Sequence, residues 1–309
     1  LLLSSVCLRA LSTKETRLVS QHLQDISVTI RSQSNYKQSE GSGVLITRQV
    51  QDEKITFVWT CAHVVDNLRR VRTVIEGGLP KKVVEFGDVQ IIKELVEQGR
   101  RVGEIKMDAT VLKYSDADTG DDLALLMVRS RDYAKSGASF YMDDDEPIVP
   151  IGTPLFHVGS LLGQMGANSM TTGIVSQVGR IRNKVEYDQT TVTAFPGSSG
   201  GGVYLQDGTY VGMIVRGAGE GFNLMVPVRR IKRWAERHNI MWALDDTIDM
   251  PSLDEISQLP VETVGDEDTV KTIKDKKTWG GDRDFPYLIK IMDTRTNTQV
   301  PVGVEFKLD

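Results

Sequence analysis

IKMDATVLKYSDADTGDDLALLMV, residues 105–128, sets the reading of the whole chain. It holds two apolar runs of strand length, IKMDATVLKY (105–114) and DLALLMV (122–128), separated by a Ser, Asp, Thr and Gly cluster that suits a turn. Upstream the same grammar recurs in ISVTIR (26–31), GVLITR (43–48), ITFVWTCA (55–62) and KVVEF (82–86), which brings the count to six strands before residue 130. Downstream a second six follows: PLFHVG (154–159), MTTGIVSQV (170–178), KVEYDQTTV (184–192), GGVYL (201–205), YVGMIVR (210–216) and FNLMVPV (222–228). Two sets of six predict an all-β chain of two six-stranded antiparallel β-barrels, over 25–130 and 151–240, joined by a polar linker at 131–150.

Helical text frames the barrels. Ser12–Gln24 predicts a short helix in an amino-terminal segment 1–24, with Ser12 and Glu15 spaced as a capping box and Leu18, His22 and Leu23 on one side. VRRIKRWAERH predicts a closing helix after Pro227, with Ile231, Trp234 and Ala235 inward, Arg229, Arg230, Lys232, Arg233 and Arg237 solvated, and Asn239 as its stop. Residues 241–309 read as an acidic linker ending in a hairpin of YLIKIM (287–292) and VPVGVEF (300–306). LLLSSVCLRAL at the start fits either the remnant of a secretion signal or the lead-in to the first helix.

With 309 residues, 40% hydrophobic and 26% charged, the composition is that of a globular protein with a sizeable core. The net charge of -5 is uneven: 241–309 carries 15 acidic against 8 basic residues, leaving +2 for the body. That balance predicts no nucleic-acid partner, which would call for a strongly positive face. No apolar run is long enough for a membrane span. Cys7 and Cys61 make no disulfide framework and no zinc-ligand spacing, and Asp143–Glu146 lacks the Gly and the alternation of a calcium loop, so no metal is expected.

The chemistry concentrates in three places. FPGSSGGGVY (195–204) supplies a Gly-X-Ser-Gly-Gly turn, in which Ser199 is exposed as a nucleophile and the N–H groups of Gly197 and Ser199 can face an oxyanion. FVWTCAHVVDN (57–67) puts His63 just past a strand, where a general base can be held yet point into a cleft. GDDLALLMV (120–128) sets a carboxylate at the mouth of an apolar strand; the alternation favours Asp122 as the inward residue over its competitor Asp121. The order His63, Asp122, Ser199 is that of the chymotrypsin-type proteases, with two members on the first barrel and the serine on the second.

The chain resembles the trypsin-like serine proteases of the HtrA type. The resemblance runs through GSGVLIT (41–47), TCAHVV (60–65), YSDADTGDDLALLMV (114–128), PLFHVGSLLG (154–163), TTGIVSQVGR (171–180), QTTVTAFPGSSGGGV (189–203) and MVPVRRI (225–231), covering roughly 25–240. It implies a chymotrypsin-like fold, an extracytoplasmic setting, His63 as general base, Asp122 as its orienter and Ser199 as nucleophile. Departures are Cys61, where the family has Asn or Ala, Ser198, where it has Asn, a long segment at 79–103, and a tail without the pattern of a PDZ domain. The activity implied is that of a serine endopeptidase acting through an acyl-enzyme on unfolded or extended polypeptides, with no cofactor and with a homo-oligomer or assembly contact through the termini. The rivals are a protease-fold binding component of an assembly and an esterase. Thr193, Val215, Gly217 and Asn223 are the expected specificity pocket; none is acidic, which argues against Lys or Arg and for a small or medium apolar residue before the cleaved bond. Arg216 either faces the cleft, favouring acidic side chains further along the substrate, or is an edge residue.

Overall fold

The computed structural model describes residues 13–262, apart from 35–36, 51, 78, 98, 183–184 and 218–220, together with 291–293 and 298–300. Helix α1 (Thr13–Asp25) leads into β1 (Ser27–Gln33), β2 (Gln38–Val50), β3 (Glu53–Thr60), the single turn α2 (Ala62–Val65), β4 (Arg69–Glu76), β5 (Leu79–Phe86), β6 (Val89–Glu97), β7 (Arg100–Ser115) and β8 (Leu123–Val128). Six of these strands close a barrel in the order β1-β2-β3-β8-β7-β6, antiparallel throughout. After an irregular crossing come β9 (Pro154–Leu161), β10 (Gly166–Arg182), β11 (Val185–Thr190), β12 (Gly202–Tyr204), β13 (Tyr210–Gly217) and β14 (Asn223–Pro227), then α3 (Val228–Arg237) and α4 (Leu253–Gln258). These six strands close a second antiparallel barrel, β10-β11-β14-β13-β12-β9. The two-barrel architecture expected from the sequence is the observed one.

The strand census of the first barrel needs one correction. KVVEF belongs to β5, which pairs with β4 in a separate two-stranded ribbon, Arg69 opposite Phe86 through Glu76 opposite Leu79. The ribbon leaves Val71, Ile75 and Leu79 exposed. The sixth barrel strand is β6, VQIIKELVE, whose Val89, Ile91 and Ile92 are buried. Charges hide it in the sequence. Lys93, however, is itself buried, paired with Asp25 at the end of α1 at 2.8 Å, so an apparently polar position lies inside the fold. In α1, Leu23 is buried as expected but Leu18 is exposed; Val19 takes its place against the core. The Ser12 cap and the leading Leu1–Leu11 lie outside the described residues.

Two features tie the barrels together. The crossing after β8 runs along both: Ala138 N–H donates to Leu45 O, Tyr141 N–H donates to Tyr210 O, and Tyr210 N–H donates to Ser139 O. Within it, Asp143 Oδ1 accepts from the N–H groups of Asp145 and Glu146, and Asp144 pairs with Lys232 of α3. The second feature is α3, which ends as Asn239 enters the left-handed region at φ 56°, a conformation Asn tolerates better than most residues. Ile231, Trp234 and Ala235 are buried, but the basic face is not simply solvated. Arg230 is 3% exposed, lies 4.8 Å over the Tyr187 ring, and donates to Asp121 and to Glu186 O. Arg229 grips Glu186 and Asp188 with bonds of 2.6 Å. Burying Glu186 and Asp188 on β11 without these cations would leave charge unpaired.

The acidic linker assigned from residue 241 also needs correction over its first 22 residues, because 241–262 packs on the first barrel. Trp242 meets Phe57 edge to face at 4.9 Å, Trp59 Nε1–H donates to Ala243 O, and Arg48 Nε–H donates to Trp242 O. Helix α4 starts with a full capping box at Ser252 and Glu255 and buries Ile256; beyond it Tyr114 N–H donates to Val261 O, and Arg69 pairs with Glu262 at 2.7 Å. Sparse apolar residues in acidic text carry this packing, so composition alone conceals it. A separate unit, Val264–Asp309, contains the antiparallel pair β15 (Ile291–Asp293) and β16 (Thr298–Val300). The expected hairpin is present at its turn-proximal end, and the rest of YLIKIM and VPVGVEF lies outside the described residues. Among the described residues no helix is long and apolar enough to cross a membrane.

Candidate active site

Helix α2 begins where β3 ends, with Cys61 in extended conformation at its amino terminus. The apolar neighbours Ala62, Val64 and Val65 are buried, which pins the turn and leaves the His63 side chain 35% exposed at its edge. Facing it is Asp122, fully buried, at the entrance of β8. The preceding loop folds on itself through Asp116, which accepts at its carbonyl from Gly120 and Asp122 N–H and at Oδ1 from Asp118 and Thr119 N–H. Asp122 itself sits at φ 53°, a conformation uncommon for a non-glycine residue and typical of functional turns.

The two side chains meet squarely. His63 Nδ1 lies 2.9 Å from Asp122 Oδ2 and 3.1 Å from Oδ1, and His63 N–H donates to Oδ1 at 3.0 Å. Burial pushes the Asp122 carboxyl up, but the ring and backbone hydrogen bonds of His63 and the positive charge of Arg216 outweigh it and hold the pKa below the ordinary carboxylate value. An ionised carboxylate only accepts, so Nδ1 carries the proton of the neutral ring and Nε2 is left with its lone pair. Asp121, the competing carboxylate, points the other way, to Arg230 at 3.3 Å and Arg237 at 2.7 Å.

Ser199 lies on the turn between β11 and β12, flanked by two glycines in left-handed conformation, Gly197 at φ 98° and Gly200 at φ 87°. A Cβ on Gly197 would fall 2.4 Å from Ser160 O, and one on Gly200 2.1 Å from Ser42 O, so only glycine lets this turn approach both barrels. Cys61 N is 3.2 Å from that same position on Gly200, and Val64 crowds Gly41, whose own Cβ position is 3.1 Å from Ser199 O. The backbone of Cys61, at the start of the turn that carries His63, therefore lies close to the serine turn, and Gly41 lies close to both Val64 and Ser199 O. Ser199 Oγ donates to Val215 O at 3.4 Å; among the described residues it makes no hydrogen bond to the His63 ring. The N–H groups of Gly197 and Ser199 likewise donate to nothing among the described residues, whereas those of Ser198, Gly200 and Gly201 bond Phe195 O, Ile214 O and Ser198 O.

Behind the turn lies a buried polar relay that the motif reading missed. Ser42 N–H donates to Ser199 O at 2.8 Å, Ser42 Oγ donates to Gly197 O at 2.7 Å and accepts from Ser160 N–H at 2.7 Å, and Ser160 Oγ meets Thr29 Oγ1. Ser42 fixes the carbonyl of the peptide beside the candidate oxyanion N–H groups. Its signal in the sequence is the GSG of GSGVLIT, where a lone Ser between glycines marks a close approach of strands. Ser198, departing from the family's Asn, is buried and accepts from Phe195 N–H through Oγ. His157 lies beneath the turn, fully buried, with Nδ1 2.9 Å from Gly202 O and Cε1 2.7 Å from where a Cβ on Gly201 would be. Burial, against the Gly202 hydrogen bond, takes its pKa down to about 4.

The expected pocket residues are partly drawn together. Asn223 is buried, donates through Nδ2 to Val192 O at 2.7 Å, and sets Oδ1 2.7 Å from the Cβ position of Gly217, its partner across β13 and β14. Val215 is buried, with its carbonyl toward Ser199. Thr193 is exposed, and its carbonyl accepts from Thr171 Oγ1. Cys61, His63 and Asp122 place ligand atoms within 4.8 Å of one another. A thiol ligates as thiolate, however, and burial together with the Asp122 charge pushes Cys61 well above its ordinary pKa, while Sγ donates to Ile214 O at 3.4 Å. This donor set fits a hydrogen-bonded pair beside an inert thiol better than a metal centre.

Known proteins share the fold and part of the sequence. A serine endoprotease from Yersinia pestis superposes with a TM-score of 0.51 at 16% identity, covering 74% of this chain and 67% of that one. Deg5 superposes at 0.52 and 20% identity, over 76% of this chain and 99% of its own. The Do-like HtrA serine proteases of Lactococcus lactis subsp. cremoris MG1363 and subsp. lactis IL1403 are 29% and 28% identical over 184 residues. The chain spans 36% of the length of these two relatives. Residues 41–213, more than half of the chain, match the trypsin-like peptidase domain, and the protein belongs to that family.

Proposed function

We propose that the protein is a serine endopeptidase that hydrolyses polypeptides through an acyl-enzyme, with Ser199 as nucleophile, His63 as general base and acid, and Asp122 as the group that orients His63. The observation that carries this reading is the buried carboxylate of Asp122 on His63 Nδ1, which leaves Nε2 as a proton acceptor, with Ser199 on a separate glycine-flanked turn, its Oγ held only by Val215 O among the described residues. The Ser199 hydroxyl turns from Val215 O toward the ring as substrate enters; catalytic hydrogen bonds are commonly long or misaligned before binding. Attack transfers the hydroxyl proton to Nε2, and the developing oxyanion is met by the N–H groups of Gly197 and Ser199. His63 then protonates the leaving amine, and a water molecule, deprotonated by the same nitrogen, releases the acyl group and restores Ser199.

Extended or unfolded polypeptides are the substrate class we infer, because a strand-like segment can pair with the open end of β13. Val215, Gly217, Asn223 and Thr193 would surround the side chain before the cleaved bond, and Gly217 leaves room for a small or medium apolar one. A fluorophosphonate probe tests the reading directly. It should label Ser199 alone, and His63→Ala should be labelled slower by on the order of 10⁴-fold or more. Equal labelling of the two proteins, or none of the folded parent, would favour a protease-fold binding component instead.

A further inference from the structure

Strand β13 ends with an irregularity. Ile214 lies opposite Met225 and Arg216 opposite Leu224, so Val215 is an extra residue on this side of the ladder. A bulge of this kind bends the strand and re-aims the side chains beyond it. Ile214 and Val215 are buried, whereas Arg216, the next residue, emerges half-buried beside the peptide whose carbonyl receives the Ser199 hydroxyl. Its Nε is buried without an acceptor, and among the described residues its guanidinium has no carboxylate within ion-pairing distance. Arg229 and Arg230, by contrast, are satisfied by Glu186, Asp188 and Asp121. Strand alternation puts the Arg216 side chain on the face of β13 opposite Val215 and Gly217, and its positive charge acts to lower the pKa of Asp122 and of Cys61. It does not bond Asp122, whose hydrogen bonds come from His63.

An unpaired guanidinium at the edge of a proteolytic cleft is a site for an anion carried by the substrate. A peptide entering along β13 as an added strand alternates its side chains between two faces. With the side chain of the attacked residue in the expected pocket at Gly217 and Asn223, the preceding residue would direct its own to the opposite face, the one to which alternation along β13 assigns Arg216. We propose that Arg216 is a specificity-determining residue that selects an Asp or Glu side chain at the substrate position immediately before the attacked residue. The proposal rests on the serine-endopeptidase reading above. Arg pairs a carboxylate in two-point fashion, so Glu and Asp are both accommodated while an uncharged amide of the same shape is not equivalent.

The experiment uses the full chain and a set of short peptides that differ only at that position, carrying Glu, Gln or Lys, with matched sets varied one residue to either side. The parent should cleave the Glu peptide about tenfold faster than Gln in kcat/KM at low ionic strength and faster still than Lys, with the preference shrinking as salt is added. Arg216→Gln should erase the Glu preference while leaving the Gln peptide within about threefold of the parent, and Arg216→Glu should invert the order toward Lys. A uniform fall on all peptides with Arg216→Gln would assign the residue to holding the Asp122 charge and overturn the proposal. So would an acidic preference that survives the substitution, or one that appears at a neighbouring position. Fluorophosphonate labelling separates the two levels: a labelled enzyme without the preference sinks the specificity alone, and an unlabelled one sinks the endopeptidase reading and the specificity with it.

Discussion

His157 offers a quantitative test of how the second barrel supports the serine turn. In the folded protein the ring is fully buried, with its pKa drawn down from 6.5 to about 4, so it stays neutral where an unfolded imidazole is charged. Between those values the unfolded chain binds a proton that the folded chain does not, and stability falls as pH falls. Taking the protein from about pH 7.5 to about pH 4.5 should therefore cost on the order of 2–3 kcal/mol from this residue alone. Asp122 scarcely enters that window: its folded pKa lies below 3.8, so the stability it contributes is present above that value and is lost only on further acidification. The measurement is urea unfolding followed by tryptophan fluorescence, since Trp59, Trp234 and Trp242 are all buried. A Ser199→Ala background removes any self-digestion. His157→Leu fills similar volume but leaves Gly202 O without its donor, which lowers stability at every pH by about 1–3 kcal/mol. What distinguishes the mechanism is the slope: the pH-dependent loss should be smaller in His157→Leu by about 2–3 kcal/mol. Parallel pH curves for the two proteins would refute the reasoning, because they would mean that His157 is charged, or accessible, in the folded state.

Asp122→Asn should reduce peptide hydrolysis by about 10⁴, since an amide favours the wrong histidine tautomer, whereas Asp121→Asn should cost less than about tenfold in rate and instead lower stability through its bond to buried Arg230; the reverse ranking in steady-state kinetics would exchange their roles. Ser42→Ala deletes the donor to Gly197 O and the acceptor for Ser160 N–H, and it should lower kcat by about 10- to 100-fold with little change in KM, as expected of a group that positions the oxyanion turn. A change confined to KM would remove Ser42 from that role. A chain ending at residue 263 should keep its turnover and melting temperature, whereas one ending at 243 should melt several degrees lower, because Ile256, Leu244 and the contacts to Tyr114 are lost. Equal melting of the two truncated proteins would return 244–262 to the status of linker, and a change of size by light scattering in the shorter chain lacking 264–309 would point to an assembly contact there.

The sequence by itself determined the elements whose signal is local. Period-two alternation and turn chemistry are properties of a few adjacent residues, so all six strands of the second barrel were legible, as were the closing helix and its Asn239 stop. The serine turn was legible because such a turn needs glycines around Ser199; the choice of Asp122 over Asp121 agrees with its burial, but not through alternation, since Leu123 to Leu126 are all buried and Asp122 precedes β8 at φ 53°. Tertiary structure alone decided what depends on distant partners. Lys93 makes β6 look exposed until Asp25, from the end of α1, neutralises it inside the fold. The basic face of α3 reads as solvated until β11 brings Glu186 and Asp188 beneath it. The glycines beside Ser42 signal a close approach but not what approaches, because its partners, Gly197, Ser160 and Ser199, are more than 110 residues away along the chain. A hydrogen bond or an ion pair between elements has no period in the sequence; it exists only once two closed barrels have fixed which side chains share a buried space, where an unmet polar group would be too costly to keep.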